Sequence, residues 1–154
     1  MSGERRGDEL KVERPNRSVM GTIFVAYGEE GRERVLEYAA DRAREAGDDL
    51  FIYHAQEDAG ESGDEVRAEI ESIREAAAPD VEAEVVIEEW RGKSDKTNVS
   101  GQKRLTDAIQ RGDREWSYVV MGNVRHGTVE RFVVPSMTEA VLELQTVPVM
   151  LVPV

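Results

Sequence analysis

WSYVVMGN at residues 116–123 and SMTEAVLELQTVPVMLVPV at residues 136–154 set the architecture of this 154-residue chain. Trp116–Met121 is a short, uncharged run of the kind that forms a buried strand. Gly122–Thr128 reads as a glycine-containing loop. Ser136–Gln145 spaces Met137, Ala140, Val141 and Leu144 by three and four residues, which lines one face of a helix. Val147–Val154 carries no charge and is rich in valine, a last strand. Strand, loop, helix and strand in that order describe a parallel crossover, whose helix must lie on a face of the sheet.

The same alternation runs upstream. Val19–Tyr27 is a buried strand, and Gly31–Ala46 a helix on Val35, Ala39, Ala43 and Ala46 that Gly47 stops. Leu50–Ala55 is a second strand. After a turn at Gly60–Gly63, Val66, Ile70, Ile73 and Ala77 line a second helix that Pro79 ends. Val81–Trp90 alternates Val81, Ala83, Val85 and Ile87 with acids, which predicts a half-exposed strand near the sheet margin. Residues 91–99 form a polar loop, and Gln102–Arg111 a third helix on Leu105, Ala108 and Ile109. The order predicts an α/β domain over residues 19–154, a parallel sheet with helices on both faces. Residues 1–18 mix both charge signs without apolar periodicity and read as a mobile arm.

Composition removes whole classes of function. With no cysteine there is no disulfide scaffold, thiolate metal site or thiol catalysis, and two histidines make a poor metal cage. No apolar segment follows Arg5 and Arg6 and none later reaches a spanning length, so neither a signal peptide nor a membrane partner is expected and the protein is placed in the cytoplasm. The net charge of −12 argues against a nucleic-acid partner. That charge is uneven: residues 29–90 hold six Lys or Arg against 21 Asp or Glu, whereas residues 91–154 hold nine against seven. Few lysines and many acids suit either a high-salt, halophilic surface or an ordinary acidic protein.

Three segments resemble the universal stress protein family. They are Glu33–Leu50 (ERVLEYAADRAREAGDDL), the strand LFIYHA with its His54-Ala55 end, and the C-terminal VVMGN…SMTEAVLELQTVPVMLVPV. The resemblance spans residues 20–154 and implies a Rossmann-like five-stranded parallel sheet ordered 3-2-1-4-5, with two helices on each face. It also implies ATP or another adenine nucleotide as ligand. The family's nucleotide motif, Gly-x2-Gly-x9-Gly-[Ser/Thr], falls here on Gly122, Arg125, Pro135 and Ser136, so two of three glycines are replaced. The aspartate that commonly ends the family's first strand is absent from Ala26-Tyr27-Gly28. Whether the altered pocket binds a nucleotide or none therefore stays open.

A phosphate cradle needs backbone N–H groups that approach oxygen closely, and Pro135 has no N–H to offer. Arg125, His126 and Arg131 supply side-chain donors in its place, or else Arg125 and His126 are a solvated loop tip or pair with the protein's own abundant carboxylates. Ser136-Met137-Thr138-Glu139 has the spacing of a capping box, which is sufficient reason for Ser136, and a phosphate contact would use the same helix start. In this topology the first and fourth strands flank the switch point, bringing Ala26, Tyr27 and Gly28 beside Met121, Gly122 and Asn123, with Ala55 at the end of the second strand. Tyr27 either stacks on a base or plugs the crevice. His54 reads as a buried strand-end residue. Glu88 and Glu89 point to opposite faces and cannot act as a pair, and no catalytic constellation is visible. The uncharged last strand would be a hazard at an open edge; the resemblance implies a homodimer paired through Val147–Val154. Two functions are expected, then: a stress-response module with an altered nucleotide pocket, or a nucleotide-free homodimeric regulator, its protein partner unknown.

Overall fold

The computed structural model describes residues 21–28, 30–56, 60–89, 97–111, 115–123 and 136–154, excepting the side chains of 97–101, 136 and 137; the expected arm lies outside them. The element order is β1 (Thr22–Ala26), α1 (Arg32–Ala46), β2 (Asp49–Ala55), α2 (Gly63–Ala77), β3 (Ala83–Glu88), α3 (Thr97–Gln110), β4 (Trp116–Asn123), α4 (Ser136–Leu142) and β5 (Val149–Pro153). All strand pairs are parallel, in the order β3-β2-β1-β4-β5. This is the five-stranded sheet expected from the sequence, with α1 and α2 covering one face and α3 and α4 the other.

The two faces are filled differently. On the first, Ile23, Val25, Leu50 and Ile52 meet Val35, Leu36, Ala39, Ala40 and Ala43 of α1 and Val66 and Ile70 of α2. Three alanines let α1 lie close to the sheet. Gly47 ends that helix as expected, taking a left-handed φ of 78° and returning its amide to the Ala43 carbonyl at 2.9 Å. On the second face Phe24, Phe51, Tyr53 and Trp116 pack together, with Trp116 edge-on to Phe24 at 5.0 Å between ring centres. The Trp116 indole donates to the Ile109 carbonyl at 2.7 Å and so anchors the end of α3.

Several boundaries move. α3 begins at Thr97, inside the stretch read as a polar loop, because a largely polar opening turn presents no apolar face to detect. α4 stops at Leu142 rather than Gln145; Leu144 and Gln145 form tighter i−3 bonds, and Gln145 turns the chain at a φ of 55°. β4 runs on to Asn123, so Gly122 and Asn123 are strand and not loop. α2 is capped by Ser62, whose hydroxyl accepts from the Glu65 amide at 3.3 Å, the Ser-x-x-Glu spacing noted at Ser136. β3 and β5 are the sheet edges. β3 is half-buried, as its alternation indicates, while β5 leaves Met150 38% and Leu151 36% exposed.

Candidate functional site

Neighbouring strands β1 and β4 send the chain to helices on opposite faces, β1 to α1 and β4 to α4. That divergence opens a crevice beyond their carboxyl ends, the place where parallel α/β sheets bind ligands. Ala26 closes β1, and Met121, Gly122 and Asn123 close β4, so these expected site residues are brought together. Ala55 ends β2 one strand away. Ala26, Ala55 and Met121 all face the α3/α4 layer. Gly28 is exposed, a Cβ there would meet nothing within 4 Å among the described residues, and its carbonyl accepts from Arg32 at 3.1 Å. The turn after β1 is thus tethered from below and open above.

Tyr27 neither stacks into this crevice nor plugs it. Its ring turns into the α1/α2 layer, 2% exposed, with the Arg32 guanidinium 4.9 Å from its centre and His54 edge-on at 5.9 Å. The reason is strand alternation: Ala26 faces α3/α4, so the next side chain faces α1/α2. The buried hydroxyl makes no hydrogen bond of standard geometry among the described residues, although the Glu69 carboxylate stands close enough to act on it. Burial, and then the charge of Glu69, push the phenol pKa up.

Gly122 also sits at a close packing point. A Cβ at this position would lie 3.3 Å from the Val35 side chain and 3.6 Å from that of Val154. The glycine therefore lets α1 and the chain end lie close against β4, where a Cβ would press on the Val35 side chain. Gly31, at a φ of 70°, similarly makes room for Val154.

Under the crevice sits an ionic cluster that no local motif announces. Arg32 meets Glu69 at 2.7 Å and Glu61 at 3.4 Å, and burial acting against its charge is outweighed by Glu69, so its pKa is raised. His54, 1% exposed as expected of a strand-end residue, donates from Nδ1 to the Tyr27 carbonyl at 2.7 Å, and its Nε2 lies 3.0 Å from Glu61. Arg32 and Glu69 are 37 residues apart, beyond the reach of any helical or strand periodicity. On the other face Arg104 of α3 donates to the Gln56 carbonyl at 2.9 Å, while its buried Nε has no partner. It makes no ion pair among the described residues. Tyr53 donates to Glu88, and burial followed by that bond raises its pKa. Glu88 is thus occupied as an acceptor, and Glu89 follows the end of the strand.

Arg125, His126 and Arg131 lie outside the described residues, and with them the proposed side-chain clamp. Ser136 and Met137 open α4 at the expected position, their side chains undescribed. Among the described residues no His, Asp and Glu side chains gather closely enough to hold a metal ion, and no helix is long and apolar enough to cross a membrane.

A universal stress protein from Archaeoglobus fulgidus is 20% identical, with 86% of this chain and 93% of that one covered and a TM-score of 0.50. A universal stress protein in complex with cAMP is 19% identical, covering 88% of this chain and 98% of that one at a TM-score of 0.60. A second universal stress protein, from Archaeoglobus fulgidus DSM 4304, is 25% identical over 94% of this chain and 48% of that one, with a TM-score of 0.57. No curated protein matches the chain. The family model described as Universal stress protein family matches residues 20–153, nearly the whole of the described fold. With its sheet order, switch-point crevice and C-terminal strand in place, the chain belongs to the universal stress protein family.

Proposed function

We propose that the protein is a cytoplasmic stress-response module that binds an adenine nucleotide, ATP being the form the resemblance implies, in an altered crevice at the ends of β1, β2 and β4. The observation that carries this reading is the open space above Gly28, which Tyr27 leaves clear by turning into the α1/α2 layer. Arg104, bonded to the Gln56 carbonyl, adds on the α3 side a guanidinium whose Nε has no partner among the described residues, a group suited to an anionic ligand. The similar fold solved with cAMP supports the ligand class.

The test is release and rebinding. Protein purified, denatured and cleared should yield adenine nucleotide in the supernatant, and calorimetry should register ATP binding by the emptied protein. No released nucleotide and no heat at about 1 mM ATP, a free-energy threshold near −4 kcal/mol, would remove the reading. Gly28→Asp restores the family's strand-end aspartate where there is room for it, and is expected to tighten binding about tenfold through one charged hydrogen bond. Arg125→Ala is expected to abolish it.

A second reading, a nucleotide-free homodimeric regulator, draws on β5. Its exposed Met150 and Leu151 form an uncharged edge that a second copy of the strand Val147–Val154 would cover. Sedimentation of the wild type as a dimer and of Met150→Lys/Leu151→Lys as a monomer is the expected result for that edge. An ATP-silent dimer would favour this reading over the first.

A further inference from the structure

The turn that follows β1 is held by its carbonyls. The last ladder bond of that strand runs from the Tyr27 amide to the Tyr53 carbonyl at 2.9 Å, in the plane of the sheet. Beyond it the chain leaves that plane. The Tyr27 carbonyl accepts from His54 Nδ1 at 2.7 Å, and the His54 side chain is buried on the α1/α2 face of β2. The Gly28 carbonyl accepts from Arg32 of α1 at 3.1 Å. Neither donor is loose. Arg32 is drawn by Glu69 at 2.7 Å and by Glu61 at 3.4 Å, and Glu61 also stands 3.0 Å from His54 Nε2. Two consecutive carbonyls are thus tied to one network under the crevice, built from α1, β2, α2 and the turn before α2.

The consequence lies on the other side of the peptide. In a planar trans peptide the carbonyl and the following N–H point in opposite directions. With the Tyr27 carbonyl turned into the α1/α2 layer, the Gly28 N–H is turned out of it, towards the crevice between β1 and β4. Among the described residues nothing accepts from that amide, and a Cβ on Gly28 would meet no atom within 4 Å. The strand-end aspartate common in the family would present an acceptor here; this chain presents a fixed donor with no side chain over it. Two carboxylates to one guanidinium leave the network no excess positive charge to hold phosphate, so the matching ligand atom is uncharged. We propose that the Gly28 amide hydrogen-bonds a sugar oxygen or ring nitrogen of the bound nucleotide, and that Arg32 and His54 are positioning residues that aim it from the opposite face. This rests on the nucleotide reading above, and it gives the ionic cluster a part in binding without touching the ligand. The gain is preorganisation: a donor already aimed costs no reorganisation when the ligand arrives.

Amide-resolved NMR of the full chain titrated with ATP tests the contact directly. The Gly28 proton resonance should move downfield, and its exchange with solvent should slow about tenfold at saturation. By calorimetry, Arg32→Ala and His54→Gln should each weaken ATP binding about tenfold, the worth of one misdirected hydrogen bond. His54→Gln places its donor where Nε2 stood and so releases the Tyr27 carbonyl. His54→Asn carries its amide where Nδ1 stood and should recover most of the affinity. Ala40→Leu, which overpacks α1 away from the turn, should lose stability yet keep wild-type affinity, which tells positioning apart from a general loss of structure. If the wild type gives no heat with ATP, the nucleotide reading itself falls and this contact with it. If it binds ATP while the Gly28 resonance stays in place, the contact alone is overturned. Folded Arg32→Ala and His54→Gln proteins that bind ATP as tightly as wild type would overturn the positioning role, and a variant that fails to fold leaves the decision to the wild-type resonance.

Discussion

Tyr27 and Tyr53 are both buried near the strand ends, on opposite faces of one sheet, and they show how differently the two faces are built. Tyr53 belongs to the aromatic α3/α4 face, gives its hydroxyl to Glu88 and packs 6.0 Å from Phe24. Tyr27 belongs to the aliphatic, alanine-lined α1/α2 face, lies under Arg32 and has the Glu69 carboxylate close to its hydroxyl. One face is held by large rings with their polar atoms satisfied. The other depends on close helix approach and a partly buried ionic cluster, and its phenol makes no hydrogen bond of standard geometry among the described residues. The lesson is that the same residue type at equivalent depth stabilises one face and merely fills the other.

The largest test of this contrast concerns volume. Trp116→Ala should cost about 3–5 kcal/mol by chemical denaturation, because its indole joins Phe24, Phe51 and the end of α3. Ala40→Leu on the other face should cost about 1–3 kcal/mol by overpacking a fully buried position under α1. Should the added leucine be accepted without loss, close approach would not be what organises that face.

The tyrosines themselves give a smaller difference. Tyr53→Phe removes a bond and leaves Glu88 without its donor, an expected loss of about 1 kcal/mol. Tyr27→Phe removes a hydroxyl that makes no hydrogen bond of standard geometry among the described residues, so stability at neutral pH should stay within about 0.5 kcal/mol of wild type or rise above it. Equal losses in the two variants would break the comparison.

Alkaline pH supplies the mildest probe. Burial raises the phenol pKa of Tyr27, Tyr53 and Tyr118 in the folded protein, while an unfolded tyrosine titrates near about 10. The folded state therefore holds these protons more tightly. Stability from this source is fully present below the unfolded pKa and is lost as pH rises towards the folded values. Denaturation midpoints should be flat in this respect up to about pH 9 and fall above it. The fall should be shallower in Tyr27→Phe, which has one such proton fewer. An unchanged slope would mean that Tyr27 ionises as readily folded as unfolded.

Much of the frame was legible in advance. Periodicity marked each strand and helix, Gly47 and Pro79 marked two helix ends, and the valine-rich end strand lies at an edge of the sheet. These signals are local, carried by residues a few positions apart. The site was legible only as a place. Strand order predicted that Ala26 and Gly28 would lie near Met121 and Asn123, but the direction of Tyr27 depended on which face Ala26 occupied. Gly122 illustrates the same limit: its motif position was legible, but that it lies close to Val35 of α1 was not.

By itself, the order and spacing of apolar residues determined an alternating α/β chain, its parallel sheet and the concentration of acid in residues 29–90. Only the tertiary structure decided that Arg32, Glu61, Glu69 and His54 would meet beneath the crevice, and that Arg104 would reach the end of β2. The physical reason is distance along the chain. Hydrophobic burial acts on local patterns that repeat every two or three to four residues, whereas the partner of a buried charge is chosen by whichever elements the completed sheet brings together.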